Sequence, residues 1–263
     1  MNRAQGAAPE NRYYAPGEER AEKVHRLFAR IARRYDRIND LMSWGMHRTW
    51  KRRLVSLAEP RQGERALDLC CGTGDVARRL AAGPKEFACE VVGLDFTEEM
   101  LEIARRVTPA GLPVTYRQGD ALALPFPDAS FDIVTCAYGL RNLADLDRGL
   151  AEAGRVLRPG GRLASLEFGR PANPLLSLLY FAYLRAALPI FGWIFFGDPH
   201  TYGYIFATVS RFPGQGELAA RVTGAGLASV EVHDSMGGAM GICVARKPSS
   251  QTGGETEGRG GSK

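Results

Sequence analysis

A loop with two glycines joins a short apolar segment to a helical one, and few folds contain such a junction. Residues 65–70 have the sequence RALDLC, which predicts a buried strand, and residues 75–82 have helical spacing. Between them, Gly72 and Gly74 allow the backbone to turn sharply and to pass close to a ligand. A strand, a glycine loop and a helix in this order are typical of the first βαβ unit of a nucleotide-binding α/β fold.

The alternation of strand and helix continues along the chain. Further apolar runs predict strands at residues 91–95, 114–117, 131–136 and 162–168. Helices are expected from Thr97, which can cap its helix, and over residues 146–157, where Pro159 and Gly160 end the helix in a turn. Strands separated by helices need crossover connections, so the sheet is expected to be parallel.

The C-terminal part changes this pattern. Residues 227–233 and 239–245 predict two strands joined by a glycine-containing loop, which favours an antiparallel hairpin at the sheet edge. The predicted fold class is therefore α/β: a doubly wound, mostly parallel, seven-stranded Rossmann-like sheet with a C-terminal antiparallel hairpin.

Two terminal segments are expected to lie outside this domain. Residues 1–17 lack periodicity, and residues 248–263 are rich in glycine, serine and threonine. Neither can bury enough apolar surface to offset the entropy of ordering, so we expect both tails to be disordered. The remaining residues 18–247 fit one large domain, because domains usually contain about 100–200 residues.

Residues 175–196 form an apolar run as long as a membrane span. Arg185 lies near its middle, where it would cost about 3 kcal/mol in a spanning helix. Pro189 and Gly192 are expected to interrupt the helix. We therefore expect a helix in the membrane interface or the wall of an apolar pocket; a helix buried in the core is the alternative.

The charge distribution and the cysteine content indicate possible partners of the protein and its cellular compartment. The net charge is +5 at pH 7, and the excess of cations lies within residues 20–53. This segment is either a solvated helix face or a surface for an anionic membrane or a nucleic acid. The five cysteines are odd in number and lack metal-ligand spacing, and no apolar signal segment begins the chain. These features predict free thiols, no metal site and a cytoplasmic protein.

Acidic residues decide which ligand the glycine loop is expected to bind. The pattern Gly72-x-Gly74-x-x-Ala77 also fits a dinucleotide fingerprint, whose doubly negative pyrophosphate lies at the helix N-terminus. Here Asp68 ends the strand and Asp75 begins the helix, so two carboxylates would face that pyrophosphate. S-adenosylmethionine has no phosphate and carries an ammonium and a sulfonium group, which carboxylates attract. The acids therefore favour S-adenosylmethionine as the cofactor.

The remaining cofactor contacts are expected at the ends of the next strands. Asp95 has the position of an acid that accepts hydrogen bonds from both ribose hydroxyls. Asp120 can bond the adenine amino group, and residues 124–126 can line the adenine. The predicted cofactor-binding residues are Asp68, Gly72, Thr73, Gly74, Asp95, Phe96, Asp120, Ala121 and Ala137.

The order of these motifs resembles the signature of class I methyltransferases over residues 60–170. Segments outside them are similar to the ubiquinone/menaquinone biosynthesis C-methyltransferase family, and this similarity covers residues 24–245. The segments that carry it are residues 28–39, 43–51, 138–142 (YGLRN), 166–168, 202–204, 211–213 and 225–227.

The resemblance implies transfer of a methyl group to a ring carbon of a prenylated quinol. The usual substrate is demethylmenaquinol, and some members also serve ubiquinone biosynthesis. Residues 18–58 would form a helical lid, residues 60–170 the cofactor-binding core, and residues 171–213 an apolar insertion that faces the substrate or the membrane. The protein would contact the anionic inner face of the membrane peripherally, and no nucleic-acid partner is expected.

One segment departs from the family pattern. The family usually has a histidine after paired glycines, whereas residues 239–245, after Gly237 and Gly238, contain none. His233 and Asp234 precede these glycines instead. The cofactor prediction does not depend on this segment, but the shape of the quinol site does.

The implied reaction needs a nucleophilic ring carbon, and this requires an ionised neighbouring hydroxyl. A free phenol has a pKa of about 10, so the site needs a base or a cation that stabilises the phenolate. Arg141 is the first candidate, and an arginine that only pins the loop is the alternative. Asn142 would orient the second quinol oxygen. The catalytic candidates are Arg141, Asn142, Tyr138 and His47, and further titratable candidates are Tyr35, Asp36 and His200.

Three other functions remain open from the sequence. One is methylation of another small molecule, such as a phenol oxygen or a sterol carbon. The second is nucleic-acid methylation, but residues 137–140 (AYGL) lack the Pro-Pro-aromatic run common in base-amino methyltransferases. The third is non-catalytic binding of S-adenosylmethionine or a lipid.

Overall fold

A seven-stranded sheet forms the centre of the computed structural model, which describes residues 11–13, 19–83 and 89–249. The strands are β1 (Arg65–Leu69), β2 (Glu90–Asp95), β3 (Val114–Gln118), β4 (Phe131–Ala137), β5 (Leu157–Phe168), β6 (Ala228–Ser235) and β7 (Met240–Arg246). The α-helices of these residues are α1 (Glu19–Ile31), α2 (Tyr35–Ser43), α3 (Met46–Leu57), α4 (Asp75–Ala81), α5 (Glu98–Val107), α6 (Leu146–Val156), α7 (Pro174–Phe196), α8 (His200–Val209) and α9 (Gln215–Gly224).

The strand order is β3-β2-β1-β4-β5-β7-β6, which confirms the predicted fold class. Neighbouring strands are parallel from β3 to β5, whereas β7 pairs antiparallel with both β5 and β6. The chain runs outward from β1 through β2 to β3 and then crosses to β4 on the other side of β1. Ligands bind in the crevice that such a reversal leaves at the carboxyl ends of the strands.

The inner strands of the sheet are buried on both faces, as the apolar runs predict, whereas the edge strands β3 and β6 are largely exposed. Side chains alternate along β1: Ala66 packs in a cluster with α3 and α4, whereas Leu67 and Leu69 join the cluster with α6 and α9. Strands covered on both faces are apolar at successive positions, and four successive residues of β1 are buried.

The expected turn after α6 is wrong, because the chain extends into β5 as soon as the helix ends. Leu157 already pairs with Phe131, and the register then shifts before Arg162 pairs with Ile133. Gly160 lies within this irregularity with φ of +78°, a conformation that glycine adopts without strain. The glycine segment is therefore a bulge inside a strand and not a separate connection.

Helix α7 is continuous through Pro189 and Gly192, so the expectation that these residues interrupt it is wrong. Asn173 caps its N-terminus by accepting hydrogen bonds from two backbone N–H groups, and Gly197 ends it in the left-handed conformation. Helix α8, which the sequence did not predict, packs against α7. A Cβ at Gly192 would lie 2.6 Å from the carbonyl oxygen of Asp198, so this glycine permits the close contact.

The N-terminal segment, expected to form a helical lid over residues 18–58, contains three α-helices. Helix α2 follows a short 3-10 turn at Ala32–Arg34 and was missed. Residues 11–13 belong to the tail expected to be disordered, yet Tyr13 donates to Asp198 at 3.1 Å and the Asn11 amide donates to the His200 carbonyl at 3.0 Å. Residues 1–10 and 14–17 of that tail, and residues 250–263 of the C-terminal tail, lie outside the described residues.

Candidate active site

Two cavities adjoin at the carboxyl ends of the strands. The first, here called the strand-end pocket, has a volume of about 100 Å³ and follows β1, β2, β3 and β4. The second, the apolar cavity, has a volume of about 290 Å³ and lies between α2, α3, α7 and α8. Tyr35 and Tyr138 line both, so these two side chains form the partition between them.

Asp95 is built into the strand-end pocket by backbone hydrogen bonds. Its two oxygens accept from the N–H groups of Gly72 at 2.8 Å and Thr97 at 2.9 Å. Burial raises the pKa of Asp95, while the hydrogen bonds from Thr97 and Gly72 act in the opposite direction. The Thr97 hydroxyl also bonds this carboxylate and makes no capping hydrogen bond to α5, so the expected cap is wrong.

The far end of the strand-end pocket is lined by residues after β2 and β3. Asp120 accepts from the backbone N–H of Leu122 at 2.8 Å, and Ala121 and Phe96 lie beside it. His25 of α1 contacts the Phe96 ring edge-on at a centroid distance of 5.6 Å, so α1 forms one wall of the pocket. Phe96, Asp120 and Ala121 therefore lie where the sequence placed the adenosine.

Residues 124–126 do not line this pocket, so their expected contact with adenine is wrong. Leu124 is buried in the core, and Phe126 packs edge-on against Phe131 at a centroid distance of 5.0 Å. The segment turns away from the strand ends, and Leu122 lines the pocket in its place.

A small extension of the site, here called the loop pocket, lies against the glycine loop. Its lining includes Asp68, Gly72, Thr73 and Lys51. One oxygen of Asp68 accepts from the Thr135 hydroxyl at 2.7 Å, and the other is buried with no hydrogen-bond partner among the described residues. Burial raises the pKa of Asp68 to about 7. A buried carboxylate oxygen without a partner fits the ammonium group of S-adenosylmethionine.

Gly74 lines neither pocket and serves the packing of the loop. Its φ is +77°, and a Cβ there would overlap the Tyr116 ring, so only glycine fits. The neighbouring Thr73 hydroxyl donates to Asp36 at 2.9 Å, which ties α2 to the loop. Asp36, one of the titratable candidates from the sequence, therefore helps to hold the glycine loop in place.

The end of β4 brings Ala137, Tyr138 and Asn142 to the strand-end pocket. The Asn142 amide donates to the Tyr138 carbonyl at 3.2 Å, and its own oxygen is buried without a partner in the described part of the chain. Asn142 does not line the apolar cavity, and its expected role in orienting a quinol oxygen stays a prediction. The turn after β4 directs it to the cofactor side.

Arg141 lines the apolar cavity and is almost fully buried, with 5% of its surface exposed. Its guanidinium pairs with Glu167 at 2.9 Å, donates to the Tyr138 carbonyl at 2.6 Å and lies 4.9 Å from the centroid of the Phe168 ring. Burial acts to lower the pKa of Arg141, but Glu167 outweighs it and the pKa is raised. Arg141 thus pins the loop and also presents a permanent charge to the cavity.

Buried phenols surround Arg141, and the sequence analysis missed most of them. Tyr35, Tyr180, Tyr202 and Tyr204 line the apolar cavity together with Tyr138. Burial raises the pKa of Tyr35 and Tyr204 to about 12, so both are protonated near neutral pH. These side chains can donate hydrogen bonds, but they cannot act as bases there.

His47 and Lys51, both on α3, also line the apolar cavity. The His47 Nδ1 lies 2.8 Å from the Ser43 hydroxyl, and burial, aided by the charge of Lys51, lowers the pKa of His47. The imidazole is therefore neutral near pH 7 and can accept a proton. The other histidine candidate, His200, lines neither cavity.

Exposed apolar side chains surround the outer end of the apolar cavity. Trp44 is 89% exposed, and Met46, Tyr183 and Met236 are exposed beside it. The apolar surface continues along α7 over Leu175, Leu178, Leu179, Ile190, Trp193 and Ile194. Helix α7 is the one helix in the described part of the chain with the length and composition to cross a membrane, and only 17% of its most apolar window is buried.

The segment that departs from the family pattern also reaches the apolar cavity. Met236, Ala239 and Met240 line it. His233 lies on β6 near Glu231 at 3.5 Å and lines neither cavity. Apolar side chains thus occupy this part of the wall.

Five of the eleven cations in residues 20–53 form ion pairs within the described part of the protein. The pairs are Lys23–Glu19, Arg26–Glu22, Arg30–Asp198, Arg48–Asp40 and Lys51–Asp75. This pairing favours the solvated helix face over a nucleic-acid surface. Within residues 11–13, 19–83 and 89–249, no three His, Cys, Asp or Glu side chains are grouped as metal ligands.

Comparison with known proteins agrees with this geometry. The model of the ubiE/COQ5 methyltransferase family matches residues 17–247. The demethylmenaquinone methyltransferases of Staphylococcus aureus strains JH9 and Newman are each 38% identical over 243 residues, which cover 92% of this chain and 100% of each relative.

Two solved structures share the fold. A SAM-dependent methyltransferase of Thermotoga maritima has a TM-score of 0.62 at 22% identity, and the match covers 85% of this chain and 99% of that one. Phosphoethanolamine N-methyltransferase 2 of Haemonchus contortus, in complex with S-adenosyl-L-methionine, has a TM-score of 0.55 at 19% identity over 76% of this chain and 52% of its own. The chain therefore belongs to the ubiE/COQ5 methyltransferase family and is an S-adenosylmethionine-dependent methyltransferase with the class I fold.

Proposed function

We propose that this protein methylates a ring carbon of a prenylated quinol, with demethylmenaquinol as the substrate. The observation that carries the proposal is the apolar cavity, which meets the strand-end pocket at Tyr35 and Tyr138 and has a charged inner end at Arg141. A prenylated quinol matches this distribution of polarity, because its apolar tail is joined to a polar ring. The Staphylococcus aureus relatives are demethylmenaquinone methyltransferases, and this supports the choice of substrate.

Three buried polar atoms at the inner end of the cavity are ready to bind the quinol ring. They are Arg141 Nε and the hydroxyls of Tyr138 and Tyr202, and none has a hydrogen-bond partner among the described residues. An unsatisfied buried polar group costs about 1–3 kcal/mol. Hydrogen bonds to the two quinol oxygens would recover this free energy, and a hydrocarbon ligand would not.

The charge at Arg141 supports ionisation of the quinol. S-adenosylmethionine supplies an electrophilic methyl group when it is bound. The chain must hold the ring carbon in line with it and stabilise the developing phenolate, and a preorganised cation does this. Arg141 keeps its charge at all relevant pH values, and the protonated Tyr35 and Tyr204 next to it can donate further hydrogen bonds.

His47 is the group that we assign as proton acceptor. It is neutral near pH 7 and lines the same cavity as Arg141. It would take the hydroxyl proton as the phenolate forms, directly or through one water. The ring carbon then gains the methyl group and loses its own proton, and the oxygen takes back the proton held by His47. The aromatic quinol is restored, and the reaction releases one proton overall.

The exposed surface around Trp44 and along α7 is proposed to contact the cytoplasmic face of an anionic membrane. A prenylated quinol is dissolved in the bilayer, so its tail has to enter the cavity from lipid. Trp44 and Trp193 are exposed and apolar, and tryptophan favours the membrane interface. Because many nearby cations are paired internally, we expect apolar insertion to contribute more than electrostatic attraction.

A reconstituted assay tests the reaction. Purified protein is incubated with S-adenosylmethionine and reduced demethylmenaquinone in detergent, and S-adenosylhomocysteine and the methylated quinone are measured by mass spectrometry. We expect both products in equal amounts. The matched control is the oxidised quinone, which has no hydroxyl to ionise and should give neither. Cofactor binding with no methylated quinone would refute the assignment of the substrate.

Flotation with vesicles tests the membrane contact separately. The protein should float with vesicles that contain anionic lipid at low salt, and the double variant Trp44→Ser/Trp193→Ser should remain in the lower fraction. Val107→Ser, which removes an exposed apolar side chain at the end of α5, is the control and should float like the wild type. Wild-type protein that stays in solution would contradict the membrane contact but leave the reaction unaffected.

A further inference from the structure

Lys51 is a buried lysine at the junction of the loop pocket and the apolar cavity. It lies on α3, only 7% of its surface is exposed, and it lines both cavities. Burial of an ammonium group is costly unless anions or hydrogen-bond acceptors surround it. Neither the proposed proton transfer nor the quinol contacts use this side chain, so its position needs another explanation.

The charges around Lys51 fix its ammonium group next to the glycine loop. Its Nζ lies 3.1 Å from Asp75, the first residue of α4, and Asp75 also pairs with Arg79 at 2.9 Å. Asp68 and His47 lie near enough for the charge of Lys51 to affect both. Because Asp75 is shared by two cations, it balances the charge of Lys51 only in part, and Lys51 can bind a further anion.

The methionine end of S-adenosylmethionine carries an ammonium and a carboxylate on the same carbon atom. The loop pocket offers Asp68 for the ammonium, since one of its buried oxygens has no hydrogen-bond partner among the described residues. Among the described residues that line this pocket, Lys51 is the one cation. We propose that Lys51 Nζ binds the carboxylate of the cofactor and that Asp75 positions Lys51 for this contact.

The same geometry gives the dipolar end of the cofactor two oppositely charged partners on two elements. Asp68 comes from β1 and Lys51 from α3, so the bound cofactor would join the N-terminal helices to the sheet. A ligand that lacks the carboxylate would retain the contact to Asp68 and lose the contact to Lys51. The inference rests on the cofactor alone and is independent of the quinol assignment.

Calorimetry with two ligands tests this contact without turnover. S-adenosylhomocysteine retains the carboxylate, and its decarboxylated analogue differs only in that group. Wild-type protein should bind S-adenosylhomocysteine about 30-fold more tightly, as expected for a charged hydrogen bond worth about 2 kcal/mol. Lys51→Met should lose about 30-fold in affinity for S-adenosylhomocysteine and bind the analogue as before, so the preference disappears. Lys51→Arg should retain most of it.

Arg52→Met provides the matched control, since Arg52 is the adjacent exposed cation on α3 and its guanidinium donates to the Thr49 hydroxyl at 3.0 Å. It should behave like the wild type with both ligands. If Lys51→Met unfolds below the assay temperature, Asp75→Asn is measured instead. This variant leaves Lys51 in place and should weaken the binding of S-adenosylhomocysteine about threefold, while binding of the decarboxylated analogue stays the same. Equal loss for both ligands, or unchanged binding of S-adenosylhomocysteine to Lys51→Met, would overturn the proposal.

Discussion

The strand-end pocket and the apolar cavity share Tyr35 and Tyr138 but are constructed differently. The strand-end pocket is formed largely by short segments that directly follow β1, β2, β3 and β4. The apolar cavity is formed by side chains from α2, α3, α7 and α8 and from residues 236–240, which are far apart in the sequence. One site therefore depends on local backbone geometry, and the other on the packing of helices.

We expect this difference to separate binding of the cofactor from catalysis. Parallel strands bring their carboxyl ends to one edge, so the loop residues meet there whatever the helices do. The cavity exists only when the N-terminal helices pack against α7 and α8. Substitutions in one site should therefore leave the binding properties of the other largely intact, and the following predictions test this separation.

The largest effect is expected at Arg141. Arg141→Ala should reduce kcat about a thousandfold with little change in cofactor affinity. The reason is that a fixed cation next to the oxygen that becomes negatively charged in the transition state contributes a rate factor of about this size. The single variant also leaves Glu167 buried without its partner, which destabilises by about 3–5 kcal/mol. Arg141→Met/Glu167→Gln removes both charges and should recover stability but not turnover. Single-turnover kinetics and thermal melts check both, and unchanged turnover would remove Arg141 from the mechanism.

The next effect concerns His47 and its pH dependence. Because the pKa of His47 is lowered from 6.5, the neutral base persists at and above that pH, and wild-type kcat should fall only in more acidic solution. His47→Gln should reduce kcat about a hundredfold and remove this acid limb. The check is the pH profile of kcat, measured with saturating cofactor. An acid limb that persists in His47→Gln would mean that another group accepts the proton.

A smaller effect, confined to the strand-end side, is expected at Asp68. In the free protein its pKa is about 7, and an ammonium partner would lower it, so cofactor binding at pH 6 should release about one proton. The affinity should therefore rise as the pH increases towards 7. Asp68→Asn should bind about 30-fold more weakly and release no proton, while quinol binding is unchanged. Calorimetry in buffers of different ionisation enthalpy measures both quantities; proton release by Asp68→Asn would contradict the assignment.

The smallest effect should come from Tyr202. Tyr202→Phe removes a buried hydroxyl that has no partner among the described residues, so the melting temperature should stay the same or rise. The KM for the quinol should increase about fivefold, and cofactor affinity should not change. Steady-state kinetics and a thermal melt test this pair of outcomes. A lower melting temperature would show that the hydroxyl serves the fold and not the substrate.

The sequence was sufficient for the fold class and the cofactor, and most of the predicted cofactor-binding residues line the strand-end pocket. Alternating apolar segments and the glycines of the loop depend on local backbone conformation, and Asp95 and Asp120 follow strands that the pattern located. Even here, packing decided two details: Gly74 contacts Tyr116 and not the pocket, and residues 124–126 turn into the core.

The tertiary structure alone decided how the substrate side is built. Helices α2 and α8 were missed, α7 is continuous through Pro189, and Asn142 lines the strand-end pocket. Lys51 and the buried phenols around Arg141 carry no local sequence signal for a shared cavity. The physical reason is that side chains from distant segments converge only after the helices pack, and helix periodicity does not specify which neighbour each face will meet.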